Sequence, residues 1–436
     1  MTIPINAQDI RTQAETLRKS KNVEQALPLY QQLWKGGSEH KWDGWGYAYC
    51  LRKVGQSLDA LDVCRAVYDM DAEFKQNNSL YGWCIYDTEI KGRKADTIKE
   101  REFMKAAGAI AKLTTQEQYS PFEITVFRVL DYLGSKNQYP AQQILDWTNA
   151  LDPVLLATDS QSYEDAEGVA REGASPREKF YMIRTKALFE AGDYSECIAC
   201  CEAGLHEAEA GMLLHYNNDS WFYRRIALSK AQTGRRDEAI DDLGVILRRK
   251  KDWFIQRDLA ELLYQAEKYD EAQKYAIDAA LNAGDLEYKV SLFRLLALIF
   301  ERKEELDLAR QHIALALKIY SEQGWSTPRE LTEDAQRLQV EPTSESSAEL
   351  ERTLKREWEK FKPRMRGTIK KYAADREFGF IVGEDNNDYF FKLKSVRRRD
   401  GEPTLGMKVS FVPEKGWDTK KNVESLTAIN IRREDV

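Results

Sequence analysis

The sequence predicts a multidomain, mainly α chain: an α–α superhelical solenoid followed by a small five-stranded β-barrel. Three observations carry that reading. A small residue recurs at near-constant intervals over the first 340 residues. Proline (11) and glycine (24) are scarce among 436 residues, as in a chain that is mostly helix. The last 73 residues change to short, aromatic-rich runs with a period of two.

The repeat is legible in Lys21-Asn22-Val23-Glu24-Gln25-Ala26, Gly55-Gln56-Ser57-Leu58-Asp59-Ala60 and Gly192-Asp193-Tyr194-Ser195-Glu196-Cys197. It returns as Gly234-Arg235-Arg236-Asp237-Glu238-Ala239, Lys268-Tyr269-Asp270-Glu271-Ala272 and Glu305-Leu306-Asp307-Leu308-Ala309. The small residue falls 34 positions apart between Ala26 and Ala60, 33 between Ala239 and Ala272, and 37 between Ala272 and Ala309. These are two-helix units; the 42 between Cys197 and Ala239 requires an inserted turn or a longer helix. A second small residue stands twelve positions earlier at Ala48, Thr185, Ala227, Ala260 and Ala297. Two helices joined by a tight turn cross closely, and only small side chains fit at the crossing.

This pattern resembles the tetratricopeptide repeat in a degenerate form. The family's glycine is mostly alanine here, and its closing proline is absent at Ala72 and Lys251. Seven or eight units are expected, with Ala95 and Ala141 marking two in the weakly patterned stretch 70–175. Residues 154–176, with Asp159, Glu164, Asp165 and Glu167, read as an acidic loop or short helix.

The array (1–340) is expected to end in a helix opened by Thr327-Pro328-Arg329-Glu330, a capping box with proline at the first helical position. Residues 341–363 read as a polar linker and a further helix, opened by Ser346-Ser347-Ala348-Glu349 and ended by Pro363. Its stripe of Leu350, Leu354, Trp358 and Phe361 either closes the solenoid or docks the next domain.

Residues 364–436 form the third part. Residues 1–363 hold 49 Lys+Arg against 60 Asp+Glu, a net of −11, whereas 364–436 hold 16 against 12, a net of +4. A basic tail on an acidic body points to a polyanion. Five strands are expected, around Arg366–Lys370, Phe378–Val382, Tyr389–Leu393, Lys408–Val412 and Glu424–Ile429. Arg376-Glu377-Phe378-Gly379-Phe380-Ile381 is similar to the first nucleic-acid motif of cold-shock domains, Lys-Gly-Phe-Gly-Phe-Ile. Asp388-Tyr389-Phe390-Phe391-Lys392-Leu393 stands in the place of the second, and Gly406-Met407-Lys408-Val409-Ser410-Phe411 resembles Gly-Gln-Lys-Val-Ser-Phe. The resemblance implies an oligonucleotide-binding barrel of the cold-shock or S1-like kind.

Alternation puts Phe378 and Phe380 on one face of their strand, and Phe390 and Lys392 on one face of the next. Aromatic faces beside an ammonium group form a platform for unpaired bases. Lys370, Lys371, Arg376 and Arg397–Arg399 are expected to add phosphate contacts, with Tyr372 beside them. The family's first-strand tryptophan is Lys371 here and its stacking histidine is Lys392, so binding is expected to be more electrostatic.

In repeat register, Arg11, Arg224, Arg257 and Arg294 share one position, which faces the concave groove in the tetratricopeptide family, and Lys186 lies nearby in its own repeat. Two readings stand: a site for acidic peptide tails, or arginines paired with acidic neighbours. Cys197, Cys200 and Cys201, with His206 and His215 downstream, read as helix core rather than a metal site, because no second ligand pair stands at zinc spacing. Six cysteines and four histidines in so long a chain suit a reduced cytosol and offer little for metal or acid–base chemistry. No run approaches the about 18 apolar residues of a membrane span, and no phosphate loop, nucleophile elbow, zinc-protease or Rossmann motif occurs.

The expectation is therefore a cytoplasmic, non-enzymatic adaptor without cofactor or metal. It would bind single-stranded RNA or DNA through the barrel and a protein or acidic peptide through the solenoid, with no membrane partner. Fusions resembling this one occur among bacterial RNA-associated and mobile-element or phage-conflict proteins. The alternative is a pure interaction scaffold or regulatory subunit whose barrel no longer binds nucleic acid.

Overall fold

The computed structural model describes residues 6–164, 168–341, 343–397, 401–418 and 423–434. The chain divides into two compact units, Met1–Phe222 and Tyr223–Val436. Among the described residues the first holds five helix pairs: Ala7–Lys19 with Val23–Lys35, Lys41–Lys53 with Ser57–Met70, Lys75–Ile85 with Glu100–Leu113, Pro121–Gly134 with Ala141–Asn149, and Pro176–Ala191 with Tyr194–Glu209. The helix Asn218–Gln232 spans the division and is followed by Arg236–Arg249. The second unit continues with Trp253–Gln265 and Tyr269–Leu281, then Val290–Arg302 and Leu306–Glu322, before Arg329–Leu338 and Ser347–Phe361. The repeats resemble tetratricopeptide hairpins.

One local rule builds these hairpins. Lys21, Gly55, Gly192, Gly234, Glu267 and Glu304 all take φ between 60° and 85° at the turn. Each stands five residues before the buried small residue of its second helix. Left-handed backbone ends the first helix and reverses the chain, and glycine does this without strain. The second helix then crosses the first at a small pair: Ala14 and Ala26, Ala48 and Ala60, Thr185 and Cys197, Ala227 and Ala239, Ala260 and Ala272, Ala297 and Ala309. All twelve have no solvent exposure. At the third pair the backbones are close enough for Cys197 Sγ to donate to the Thr185 carbonyl at 3.3 Å.

The weakly patterned middle departs from expectation. Ala95 is exposed in a short 3₁₀ turn, and Ala141 only opens its helix, so neither marks a crossing. The reason is an insertion: a π-helical turn, Tyr86–Ile90, and the connection to Glu100 lengthen that hairpin and erase the interval. Among the described residues of 154–176, a short 3₁₀ turn (Pro153–Leu155) is followed by a hairpin that the sequence reading lacked: β1 (Gln161–Glu164) and β2 (Ala170–Gly173) pair antiparallel. Four-residue strands exposed along most of their length carry no apolar alternation to read. Asp165 and Glu167 lie outside the described residues. The 42-residue interval reflects a 16-residue helix, Tyr194–Glu209, and the link that follows it.

Pro328 is the cap residue of Arg329–Leu338 rather than its first helical residue, and no side chain caps that end. The capping box at Ser346 is complete: the Glu349 N–H donates to Ser346 Oγ, and the Ser346 N–H donates to Glu349 Oε2 at 2.8 Å. Leu350, Leu354 and Trp358 are buried against the preceding helices, while Phe361 is exposed. Trp358 lies parallel to Phe293 with ring centres 6.1 Å apart. The helix thus closes the array of its own unit, and through Lys362 and Pro363 it leads directly into the barrel.

The barrel strands are β3 (Met365–Ala373), β4 (Phe378–Gly383), β5 (Asp388–Lys392), β6 (Lys408–Asp418) and β7 (Val423–Arg433). They close in the order β3-β4-β5-β7-β6, with β5 and β7 parallel and the other named pairings antiparallel. Ile369, Ile381, Tyr389, Phe391, Val409, Phe411, Ala428 and Ile431 fill the interior. Charge seats the barrel on its unit: Glu414 pairs with Lys251 at 2.7 Å and with Lys362 at 3.8 Å, and Arg432 pairs with Glu359 at 2.8 Å. Among the described residues no helix is long and apolar enough to cross a membrane.

Candidate nucleic-acid interface

Three adjacent strands build one outward surface. Cross-strand partners share a face, and the register sets Lys371 opposite Phe380 and Phe380 opposite Phe390. The next row sets Ala373 opposite Phe378 and Phe378 opposite Lys392. The ring centres of Phe378 and Phe390 are 5.6 Å apart, those of Phe380 and Phe390 5.7 Å, and those of Phe378 and Phe380 6.2 Å. All three rings are half-buried, held by one another yet open on one side. Lys371 and Lys392 flank them, exposed, with no carboxylate at ion-pair distance among the described residues.

A bulge decides which cations reach this face. The β3–β4 register shifts between Ile369 and Lys371, so Lys370 is an extra residue. Lys370 and Lys371 therefore both point outward. Lys370 is engaged by Asp388 at 2.9 Å, which leaves Lys371, among the described residues, as the cation of the pair without a carboxylate. Arg376 stands exposed in the turn before β4, 3.6 Å from Asp375. The Leu393 N–H donates to the Glu377 carbonyl at 2.7 Å and ties the end of β5 to that turn, keeping Lys392 beside Phe378.

Comparison with known proteins bears on this surface. Cold shock protein 1 of Lactiplantibacillus plantarum is 46% identical over 50 residues, covering 11% of this chain and 74% of that protein. Cold shock protein 2 of the same organism is 44% identical over 52 residues, covering 12% and 77%. Through its barrel, the chain belongs to the cold-shock protein family. A family model described as a domain of unknown function (DUF7017) matches residues 218–358, upstream of this cold-shock domain. Among solved structures, one of Pseudomonas aeruginosa pilF is 12% identical over 69% of this chain and 96% of that one, with a TM-score of 0.30. The human IFIT1 dimer with PPP-AAAA is 13% identical over 77% and 81%, with a TM-score of 0.37.

Two expected members of the cold-shock domain's surface lie elsewhere. The bulge turns Tyr372 inward, where it stacks on the core ring of Phe391 at 6.2 Å, with the planes 9° apart. Strict alternation from Thr368 would have pointed it out. Gly379 makes that stack possible: a Cβ there would come within 2.3 Å of the Lys371 carbonyl and 2.6 Å of the Phe391 ring. Arg397 leaves the platform because its N–H donates to the Ile431 carbonyl on β7 at 3.0 Å. Its charge lies near Arg364, a guanidinium whose pKa burial lowers, with Arg432 and Arg397 adding to the effect. Arg398 and Arg399 lie outside the described residues.

The arginine row of the helical array is internally paired, which overturns its reading as a set of open peptide-binding cations. Arg11 grips Asp43 with two bonds of 2.8 Å. Burial pushes the Asp43 carboxyl up, but bonds from Arg11 and Ser38 outweigh it and hold its pKa below the ordinary value. Arg224 and Arg257 both hold Asp258, and Arg294 holds Asp334 at 2.6 Å. Asp43, Asp258 and Asp334 are themselves buried. An acidic tail would have to displace carboxylates already desolvated with their partners. Lys186 sits over the ring of Tyr139 at 4.3 Å. The signal that finds the partner is periodic: Asp258 stands 34 residues after Arg224, one repeat on.

The cysteines are core side chains. All six are buried thiols, and burial pushes Cys200 up to about 12 and Cys50 up to about 11. His215 bonds Glu178 at 2.7 Å.

Proposed function

We propose that this protein is a non-enzymatic adaptor whose cold-shock domain binds unpaired RNA or DNA while its helical array holds a protein partner. Bases stack on Phe378, Phe380 and Phe390, and Lys371 and Lys392 take the flanking phosphates. One observation carries this reading: three mutually packed rings stay half-exposed between two free lysines. A surface meant only for burial would not keep unpaired ammonium groups at both edges of its aromatic centre. Likeness to the cold shock proteins supports the same reading. Holding a strand and a partner on one chain raises the effective concentration of each for the other. With its arginines engaged, the array would recruit its partner by shape and apolar contact more than by a row of open charges.

The test is titration of the full-length protein with a labelled single-stranded oligonucleotide. A stacked base is worth roughly 1–3 kcal/mol. Phe378→Ala/Phe390→Ala should therefore weaken binding by at least about 30-fold. Equal binding by the double variant would sink the proposal.

A further inference from the structure

Between the first two helix pairs lies a cavity of about 450 Å³, walled by indoles and ionisable side chains. Its indoles are fixed. Trp45 donates Nε1–H to the Gln76 carbonyl at 3.1 Å, and Trp42 meets Trp45 edge-on at 5.5 Å and Phe74 at 4.6 Å. Trp42 nevertheless remains 42% exposed. The charges are sorted as well. Glu15 is engaged by Lys19 at 2.6 Å and Asp43 by Arg11 at 2.8 Å. Arg18 has no carboxylate at ion-pair distance among the described residues. Its guanidinium lies 4.6 Å from the centre of Trp45, and its Nε–H donates to the Tyr30 hydroxyl at 3.2 Å. A guanidinium held over a ring keeps donors free at its edge for a phosphate. The walls thus carry one surplus positive charge beside a rigid, open aromatic surface.

We infer that this cavity binds a single nucleotide unit, its base against Trp42 and its phosphate against the edge of Arg18. An acidic side chain would satisfy Arg18 but leave the exposed indole without a flat partner. The ligand is either a free mononucleotide or one nucleotide of an unpaired strand. The site does not depend on the cold-shock domain.

The experiment uses the full-length Phe378→Ala/Phe390→Ala protein, which lacks the barrel platform. Adenosine monophosphate and a labelled oligo(dT) are titrated separately. Binding of either is expected, and it should weaken about tenfold on adding Trp42→Ala, as for one lost stacked base. Arg18→Lys, which keeps the charge but not the plane, should also weaken it. Thermal unfolding checks that each variant is folded. Binding of the mononucleotide alone assigns a free nucleotide, and binding of the oligonucleotide assigns a strand. Absence of both, or affinity unchanged in Trp42→Ala and Arg18→Lys, overturns the inference. Displacement by a glutamate-rich peptide at the same concentration overturns it in favour of a peptide. Because the platform test is made with Trp42 and Arg18 intact, failure here leaves that reading standing.

Discussion

Trp358 donates its indole N–H to His312 Nε2 at 2.8 Å, inside the core of the second unit. His312 Nδ1 lies 2.7 Å from the Leu308 carbonyl, so the ring is neutral, donating at one nitrogen and accepting at the other. A single imidazole thus joins the closing helix to the helix Leu306–Glu322.

That arrangement predicts a pH dependence. Burial lowers the His312 pKa from 6.5 to about 4. The unfolded chain therefore binds a proton that the folded one refuses, and its stabilising contribution is complete above pH 6.5 and lost as pH falls towards 4. The difference corresponds to about 3 kcal/mol. Urea unfolding followed by tryptophan fluorescence should show that loss between pH 7 and 4. In His312→Gln the slope over this window should be shallower; an identical slope would refute the assignment.

Gly379 should tolerate no side chain. A methyl group there meets backbone oxygen and a core ring at once, so neither can yield cheaply. Gly379→Ala is expected to cost about 2 kcal/mol or more, as overpacking does. Oligonucleotide binding should fall with it, because Phe378 and Phe380 flank the position. Circular dichroism melts and a binding titration on one sample measure both.

The lysines should appear in the salt dependence. For single strands each neutralised phosphate contributes about 0.7 to the slope of log affinity against log salt. Lys371→Ala/Lys392→Ala should flatten that slope by roughly 1.4. Lys370→Ala should change it less, because Asp388 already holds that ammonium group. Anisotropy titrations across a salt series distinguish the two variants.

The hairpin turns offer a gain in stability. Glu267 and Glu304 hold positive φ where three other repeats use glycine. Left-handed backbone costs a non-glycine residue roughly 1–2 kcal/mol, part of which the freer glycine returns in the unfolded state. Glu267→Gly and Glu304→Gly should each stabilise by about 0.5–1 kcal/mol, read from denaturant midpoints at an unchanged slope. A loss in both would mean that the glutamates make contacts worth more than the strain.

The repeat array was legible where spacing is a local matter. Ala26 and its equivalents mark helix crossings because only a small volume fits there, whatever the neighbouring sequence. Where a π-turn after Ile85 broke the interval, Ala95 and Ala141 misled. The same limit applies in the barrel: period-two alternation brought Phe378, Phe380 and Phe390 to one face, but Tyr372, expected beside the cations of that surface, is turned inward by a bulge at Lys370 that the partner strand sets.

By itself, then, the order of residues determined two architectures, the cold-shock motifs and an outward row of rings, because helix and strand periods are written into neighbouring positions. Tertiary structure alone decided that Asp43, Asp258 and Asp334 occupy the arginines, that Trp358 closes the array on His312, and that Lys371 is free while Lys370 is not. A charge or a ring acquires its role from what lies opposite it, and that partner is chosen by packing across distant parts of the chain.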